Sequence, residues 1–68
     1  MTPNGTAIRT LRNVLKLSIR HVAHHAECTP SHLSRLERGQ VGMGEQGLRR
    51  IADAMGVPVA AINREEQP

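Results

Sequence analysis

The 68-residue chain contains no phenylalanine, tyrosine or tryptophan. Proteins that recognise RNA or single-stranded DNA commonly stack bases on aromatic side chains, so this absence argues against both classes of ligand. The single cysteine cannot form an intramolecular disulfide, and nothing in the sequence indicates an oxidising compartment. No apolar run approaches the length of a signal-peptide core or a membrane span. We therefore expect a cytoplasmic chain that does not interact with membranes.

Basic residues are concentrated in the first two thirds of the chain. Residues 1–44 hold six lysines and arginines against two glutamates, whereas residues 45–68 hold three arginines against four acidic residues. The net charge of the whole chain is +3. A local basic excess is typical of a surface that faces phosphates, although a mixed, solvated surface can have the same composition.

Apolar residues recur at helical spacing, and no segment shows the alternation typical of a strand. We therefore expect an all-α fold, a compact five-helix bundle that forms one domain over residues 1–68. Within it we expect an ordered core at about 6–62, a two-helix unit at 18–38, and tails at 1–5 and 63–68. The signals for the five helix starts are Asn4 or Thr6, Ser18, Thr29 with Pro30, Glu45, and Pro58.

The two-helix unit at 18–38 consists of two short helices joined by a tight turn. Ala23 is small where the two helices meet, and Leu33 and Leu36 anchor the second helix against the first. Cys28 occupies a turn position that usually needs a buried apolar side chain. Two helices locked at a steep angle can place the start of the second one in the major groove of DNA.

With the leucines inward, the second helix of the unit presents polar residues that suit contacts with base edges. Arg35 can donate two hydrogen bonds to guanine O6 and N7, a contact worth roughly 1–3 kcal/mol of discrimination. Serine hydroxyls bind several base edges and discriminate less, and a proline can lie against a thymine methyl group. The residues expected to read bases are Pro30, Ser31, Ser34 and Arg35.

A second set of residues is placed to contact phosphates. Ser18 and Thr29 lie at helix N-termini, where free N–H groups and the helix dipole favour a phosphate. Arg20 and Arg38 flank the unit with positive charge. The expected phosphate contacts are Ser18, Arg20, Thr29, His32 and Arg38.

Two segments of the unit resemble the helix-turn-helix of phage repressor and Cro proteins, often called the XRE family. They are Leu17-Ser18-Ile19-Arg20-x-Val22-Ala23 and Thr29-Pro30-Ser31-His32-Leu33-Ser34-Arg35-Leu36-Glu37-Arg38-Gly39, and the resemblance covers about residues 7–62. It implies a lambda-repressor-like domain with a helix-turn-helix at 18–38, which binds operator DNA as a homodimer and represses or activates transcription. It also implies a structural ion pair between Arg12 and Glu37.

The chain departs from that family at two positions. Where the family usually has glycine, this chain has Lys16 after the first helix and Glu27 in the turn. If the backbone is left-handed there, each side chain costs about 1 kcal/mol.

The expected partners are a palindromic double-stranded operator and a second copy of the chain. The candidates for the dimer contact are Val57, Val59 and Ile62 near the C-terminus. Small proteins of this fold also serve as antitoxins or adaptors, so a protein-interaction module with secondary DNA binding is the alternative function.

The first helix of the two-helix unit also contains three closely spaced histidines. His21, His25 and Cys28 fall at i, i+4 and i+7, with His24 adjacent, which resembles the spacing of metal ligands. A metal site, a solvated histidine face and a pH-sensitive phosphate contact are the three interpretations. Since a cysteine in the buried turn faces away from the histidines, we expect no metal site and no cofactor. The sequence shows no nucleophile elbow or phosphate-binding glycine loop, so we also expect no enzymatic activity.

Overall fold

The computed structural model describes residues 2–64. This part of the chain contains four α-helices, one three-residue 3-10 turn and two two-residue strands. Within it, no helix is long and apolar enough to cross a bilayer. In chain order the elements are β1 (Thr2–Pro3), α1 (Gly5–Val14), α2 (Ile19–His25), α3 (Pro30–Glu37), α4 (Glu45–Met55), the 3-10 turn (Val59–Ala61) and β2 (Asn63–Arg64).

Side-chain caps explain where the first three helices begin. The Asn4 side chain accepts a hydrogen bond from the backbone N–H of Ala7, at 3.1 Å. The Ser18 hydroxyl accepts one from His21 N–H at 3.0 Å. Thr29 caps α3, and Pro30 occupies its first turn, where no N–H donor is required. These caps fix the start of each helix independently of the core.

The four α-helices end with the same hydrogen-bond pattern. After each helix, one residue in the left-handed conformation lets the next N–H bond back to a carbonyl five residues earlier, as from Leu17 N to Arg12 O at 2.9 Å. Glycine takes this position after α3 and α4. After α1 and α2 it is taken by Lys16 at φ 58° and Glu27 at φ 60°. Lys16 and Glu27 therefore have the left-handed backbone that was considered for them from the sequence.

The core is aliphatic and lies between all four helices. Two small residues, Ala23 on α2 and Ala26 directly after it, let both α3 and α4 approach that helix closely. Because the core has no aromatic side chain, its cohesion comes from close packing of aliphatic groups. The buried hydrophobic residues are Ile8, Val22, Ala23, Ala26, Leu33, Leu36, Leu48, Ile51, Ala52, Met55 and Ile62.

The segment after Pro58 differs from the expected fifth helix. It forms a single 3-10 turn at Val59–Ala61, followed by Ile62, whose side chain is fully buried. Three residues are too few for the i to i−4 hydrogen bonds of an α-helix, and 3-10 turns are common in such short connections. The side chain of Ile62 contributes to the chain's own core, so it does not fit the dimer contact expected for it.

The two ends of the described chain pair with each other, where separate tails at 1–5 and 63–68 were expected. Thr2 lies opposite Arg64 and Pro3 opposite Asn63 in an antiparallel pair. The N–H of Asn4 donates to the carbonyl of Ile62 at 2.8 Å. Of the expected tails, residues 1 and 65–68 lie outside the described residues. The ordered part therefore begins before residue 6 and extends past residue 62.

Gly5 lets α1 begin directly against the end of α3. A Cβ atom at Gly5 would lie 2.5 Å from the carbonyl oxygen of Leu36 and 2.6 Å from that of Glu37. We predict that Gly5→Ala lowers the free energy of unfolding by about 1–3 kcal/mol, because the helix must shift away from the α3 backbone. Gly42→Ala is the control, since a Cβ there meets nothing within 4 Å. Urea denaturation of both variants measures the difference, and equal stability would contradict the close approach.

The left-handed residue after α1 gives a second stability test. Lys16→Gly removes the Cβ strain at φ 58° and is expected to raise the free energy of unfolding by up to about 1 kcal/mol. Lys16→Ala loses the same charge but keeps the Cβ, so it should not be stabilising. If both variants change the midpoint of thermal unfolding by the same amount, the backbone strain at Lys16 does not limit stability.

Candidate nucleic-acid interface

The turn between α2 and α3 holds the two helices at a fixed angle. Glu27 adopts the left-handed conformation, and the N–H of Cys28 donates to the carbonyl of Ala23 at 2.9 Å. The Cys28 side chain is half-buried and packs against the core, and burial raises the pKa of its thiol. This residue therefore fills a packing position in the turn.

Arg12 and Glu37 form an ion pair that joins α1 to α3. Arg12 Nε lies 2.7 Å from Glu37 Oε2, and Arg12 Nη2 lies 3.1 Å from Oε1, so the guanidinium binds the carboxylate through two parallel hydrogen bonds. Arg12 Nη1 also donates to the carbonyl of Leu17, just before α2. The side chain of Glu37 is 5% exposed and that of Arg12 is 14% exposed. The hydrogen bond to Glu37 raises the pKa of Arg12.

One side of α3 is fixed in the core while the opposite side is exposed. Leu33 is fully buried and Leu36 is 1% exposed. On the outward side, Pro30, Ser31 and Arg35 are exposed. Neither the Ser31 nor the Arg35 side chain forms a hydrogen bond or ion pair with another of the described residues. This face can therefore bind an external ligand without first breaking an internal contact.

Ser34 is placed differently from the other residues expected to read bases. It is half-buried, and its hydroxyl accepts a hydrogen bond from Arg38 Nη2 at 3.0 Å. Arg38 Nε also lies 3.4 Å from the carbonyl oxygen of Ser34. The structure thus pairs Ser34 with Arg38 and leaves Ser34 less exposed than Ser31 and Arg35.

The residues expected to contact phosphates lie mostly on the surface. Ser18, Arg20, Thr29 and Arg38 are exposed, whereas His32 is half-buried. Ser18 Oγ and Thr29 Oγ1 each accept a capping N–H, which leaves each hydroxyl proton available to an external acceptor.

Comparison with known proteins identifies the family to which this arrangement belongs. A family model described as a helix-turn-helix domain matches residues 5–64. The chain belongs to the helix-turn-helix domain family. Its match begins where α1 begins and ends at β2, so nearly all of the described fold belongs to the helix-turn-helix domain.

Solved structures of one gene regulator resemble this helix-turn-helix domain. A crystal structure of the clp gene regulator ClgR from Corynebacterium glutamicum has a TM-score of 0.78 and 32% sequence identity, over 82% of this chain and 73% of that one. A second crystal structure of ClgR has a TM-score of 0.80 and 32% identity, over 82% of this chain and 60% of that one. No curated protein sequence matches the chain.

The histidines of α2 do not combine with Cys28 in this helix-turn-helix domain. His21, His24 and His25 are exposed, and the ring centroids of His21 and His25 lie 4.5 Å apart. Among residues 2–64, no three His, Cys, Asp or Glu side chains are grouped as metal ligands. The three imidazoles form an exposed face on α2, separate from the half-buried thiol.

The three C-terminal residues expected to form the dimer contact differ in how far their side chains are exposed. Val57 and Val59 are half-buried and pack partly against the core, whereas Ile62 is completely buried. Only the two valines retain exposed apolar surface.

The Arg12–Glu37 pair leads to a stability prediction. Arg12→Met leaves the Glu37 carboxylate buried without its partner, so we expect the free energy of unfolding to fall by about 2–4 kcal/mol. Arg49→Met is the matched control because it breaks an ion pair with Glu45 whose two side chains are more than half exposed. That change should cost less than about 1 kcal/mol. Urea denaturation of both variants tests the comparison, and equal losses would mean that the pair contributes no more than a surface contact.

Proposed function

We propose that this protein regulates transcription by binding double-stranded DNA, with α2 and α3 as its helix-turn-helix. The start of α3 enters the major groove, and α2 lies across the DNA backbone. The observation that carries this proposal is the division of α3 into a buried side, at Leu33 and Leu36, and an outward side on which Ser31 and Arg35 have no internal partner. A helix held in this way presents its polar side chains in one orientation.

The outward side of α3 supplies the contacts that distinguish base pairs. Arg35 donates to guanine O6 and N7, Ser31 bonds to a neighbouring base edge, and Pro30 lies against a thymine methyl. Ser34 has a lesser part in reading bases than Ser31 and Arg35, because its side chain is half-buried and lies against Arg38.

Contacts with the DNA backbone fix the orientation of α3 in the groove. Ser18 and Thr29 donate their hydroxyl protons to phosphates at the starts of α2 and α3. Arg20, His32 and Arg38 complete the expected set. The similarity to structures of a gene regulator supports a regulatory role.

The protein acts as a cytoplasmic homodimer of the repressor type on a palindromic operator. The exposed parts of Val57 and Val59 form the contact between copies, and Ile62 supports them from the core. The two half-sites then lie about one helical turn apart, roughly 10–10.5 bp between centres.

Selection of bound duplexes from a randomised pool tests this proposal. The parent protein should select a palindromic site. Arg35→Ala should lose preference at one base pair of each half-site, by about 1–3 kcal/mol or roughly 5- to 150-fold in affinity. Arg20→Ala should weaken binding to all sequences alike, because a phosphate contact carries no sequence information.

Arg49→Ala is the charge-matched control, since Arg49 is exposed on α4 and pairs with Glu45. It should leave the selected site unchanged. Failure of the parent protein to select any duplex, together with capture of a protein partner, would favour the interaction-module alternative. Unchanged selection by Arg35→Ala would refute the placement of α3.

A further inference from the structure

A groove of about 250 Å³ lies where α1, the start of α2 and the second half of α3 meet. Three arginines contribute to its walls, with one serine, one apolar residue and one carboxylate. We call it the arginine groove. Its lining residues are Arg9, Arg12, Ile19, Ser34, Glu37 and Arg38.

The arginine groove carries positive charge that the described residues do not neutralise. Its carboxylate, Glu37, is bound through both oxygens by Arg12. Arg9 and Arg38 are exposed, and neither forms an ion pair with another of residues 2–64. Two guanidinium groups that face one groove without a counter-charge favour an anionic ligand.

The groove also contains a hydroxyl group that fixes one of its cations. Ser34 Oγ accepts a hydrogen bond from Arg38 Nη2 at 3.0 Å, which holds Arg38 along α3. A guanidinium has five N–H donors, so Arg38 keeps donors for a second acceptor. Ser34 and Arg38 both line the groove, so this hydrogen bond lies in its wall.

The arginine groove lies beside the DNA contacts proposed for Ser18 and α3. Ile19 follows Ser18, the cap of α2, and Ser34 lies one helical turn after Pro30. The groove therefore opens between the start of α2 and the outward side of α3. A DNA strand that contacts Ser18 while α3 occupies the major groove passes this opening.

We propose that the arginine groove binds one phosphodiester group of the DNA backbone, with Arg9 and Arg38 donating to its oxygens. This inference rests on the proposed DNA-binding function. It extends the DNA contact to α1 and gives Arg9 a role as a phosphate-binding residue. Arg9 and Arg12 stand three positions apart on one side of α1, so Arg12 binds Glu37 while Arg9 remains available to the phosphate.

A scan with neutral methylphosphonate groups tests the assignment on the duplex selected by the parent protein. Each phosphate in turn is replaced, and the loss of affinity is measured for the parent, Arg9→Ala and Arg49→Ala. Arg9→Ala should weaken binding to the duplex several-fold. One methylphosphonate substitution that lowers the affinity of the parent protein should leave the affinity of Arg9→Ala unchanged. The slope of log affinity against log salt should fall by about 1 for Arg9→Ala. Arg49→Ala should keep the parent's sensitivity at that phosphate.

The outcomes separate this inference from the function on which it rests. If the parent binds no duplex, the DNA-binding proposal fails first. If the parent binds its duplex and Arg9→Ala gives the same scan and salt slope, the groove is not a phosphodiester site. Thermal unfolding of Arg9→Ala should match that of the parent, so a loss of binding cannot be ascribed to unfolding.

Two further ligands distinguish other anions from DNA. Titration with inorganic phosphate, followed by NMR of the arginine Nε–H groups, detects binding of the free anion. Titration with a glutamate-rich peptide detects binding of an acidic protein segment. Saturation of Arg9 by either ligand, combined with DNA affinity that does not depend on Arg9, would overturn the DNA assignment.

Discussion

The ion pair between Arg12 and Glu37 fixes the arrangement on which the rest of the structure depends. It connects α1 to α3. Arg12 also donates a third hydrogen bond to the carbonyl of Leu17, which connects the segment just before α2 to the same two helices. A nearly buried carboxylate is tolerated only when its charge is compensated, so the pair allows few alternative positions of these helices. This constraint matters more in a small core without aromatic side chains, where close aliphatic packing is the other interaction that positions α3.

The orientation of α3 follows from this constraint. Its inward side comprises the two leucines and Glu37, so rotation of the helix would expose apolar surface and separate the ion pair at once. Ser31 and Arg35 consequently point outward. The same pair uses the charge of Arg12 internally, which leaves Arg9 and Arg38 as the cations that face the arginine groove. Structural and ligand-binding roles are thus divided between neighbouring arginines.

Local features of the fold could be predicted because their causes lie close together in sequence. Ser18 and Thr29 cap helices through hydrogen bonds that span three residues, and glycine missing at positions 16 and 27 indicated strain at helix ends. The pairing of the chain ends could not be predicted, because strands of two residues have no detectable alternation. The burial of Ile62 likewise depends on tertiary packing, which the spacing of apolar residues in a short segment does not predict.

The site was predictable to a similar extent and for similar reasons. Helical periodicity separates Leu33 from Arg35 clearly, but Ser34 lies between the two sides, and only the contact with Arg38 shows its environment. Arg9 received no role from the sequence because the groove that it lines forms only where α1, α2 and α3 meet. That meeting is a tertiary arrangement, which the sequence pattern around Arg9 does not reveal.

NMR mapping of the backbone amides during titration with the selected duplex tests the central claim most directly. If α3 enters the groove as proposed, the largest shift changes should fall at the start of α3 around Ser31 and Arg35, with a second set near Ser18. The amides of Arg49 and Asp53, on the exposed side of α4, should change little. Shift changes confined to α4 or to Val57 and Val59, with those of α3 unaltered, would contradict the account.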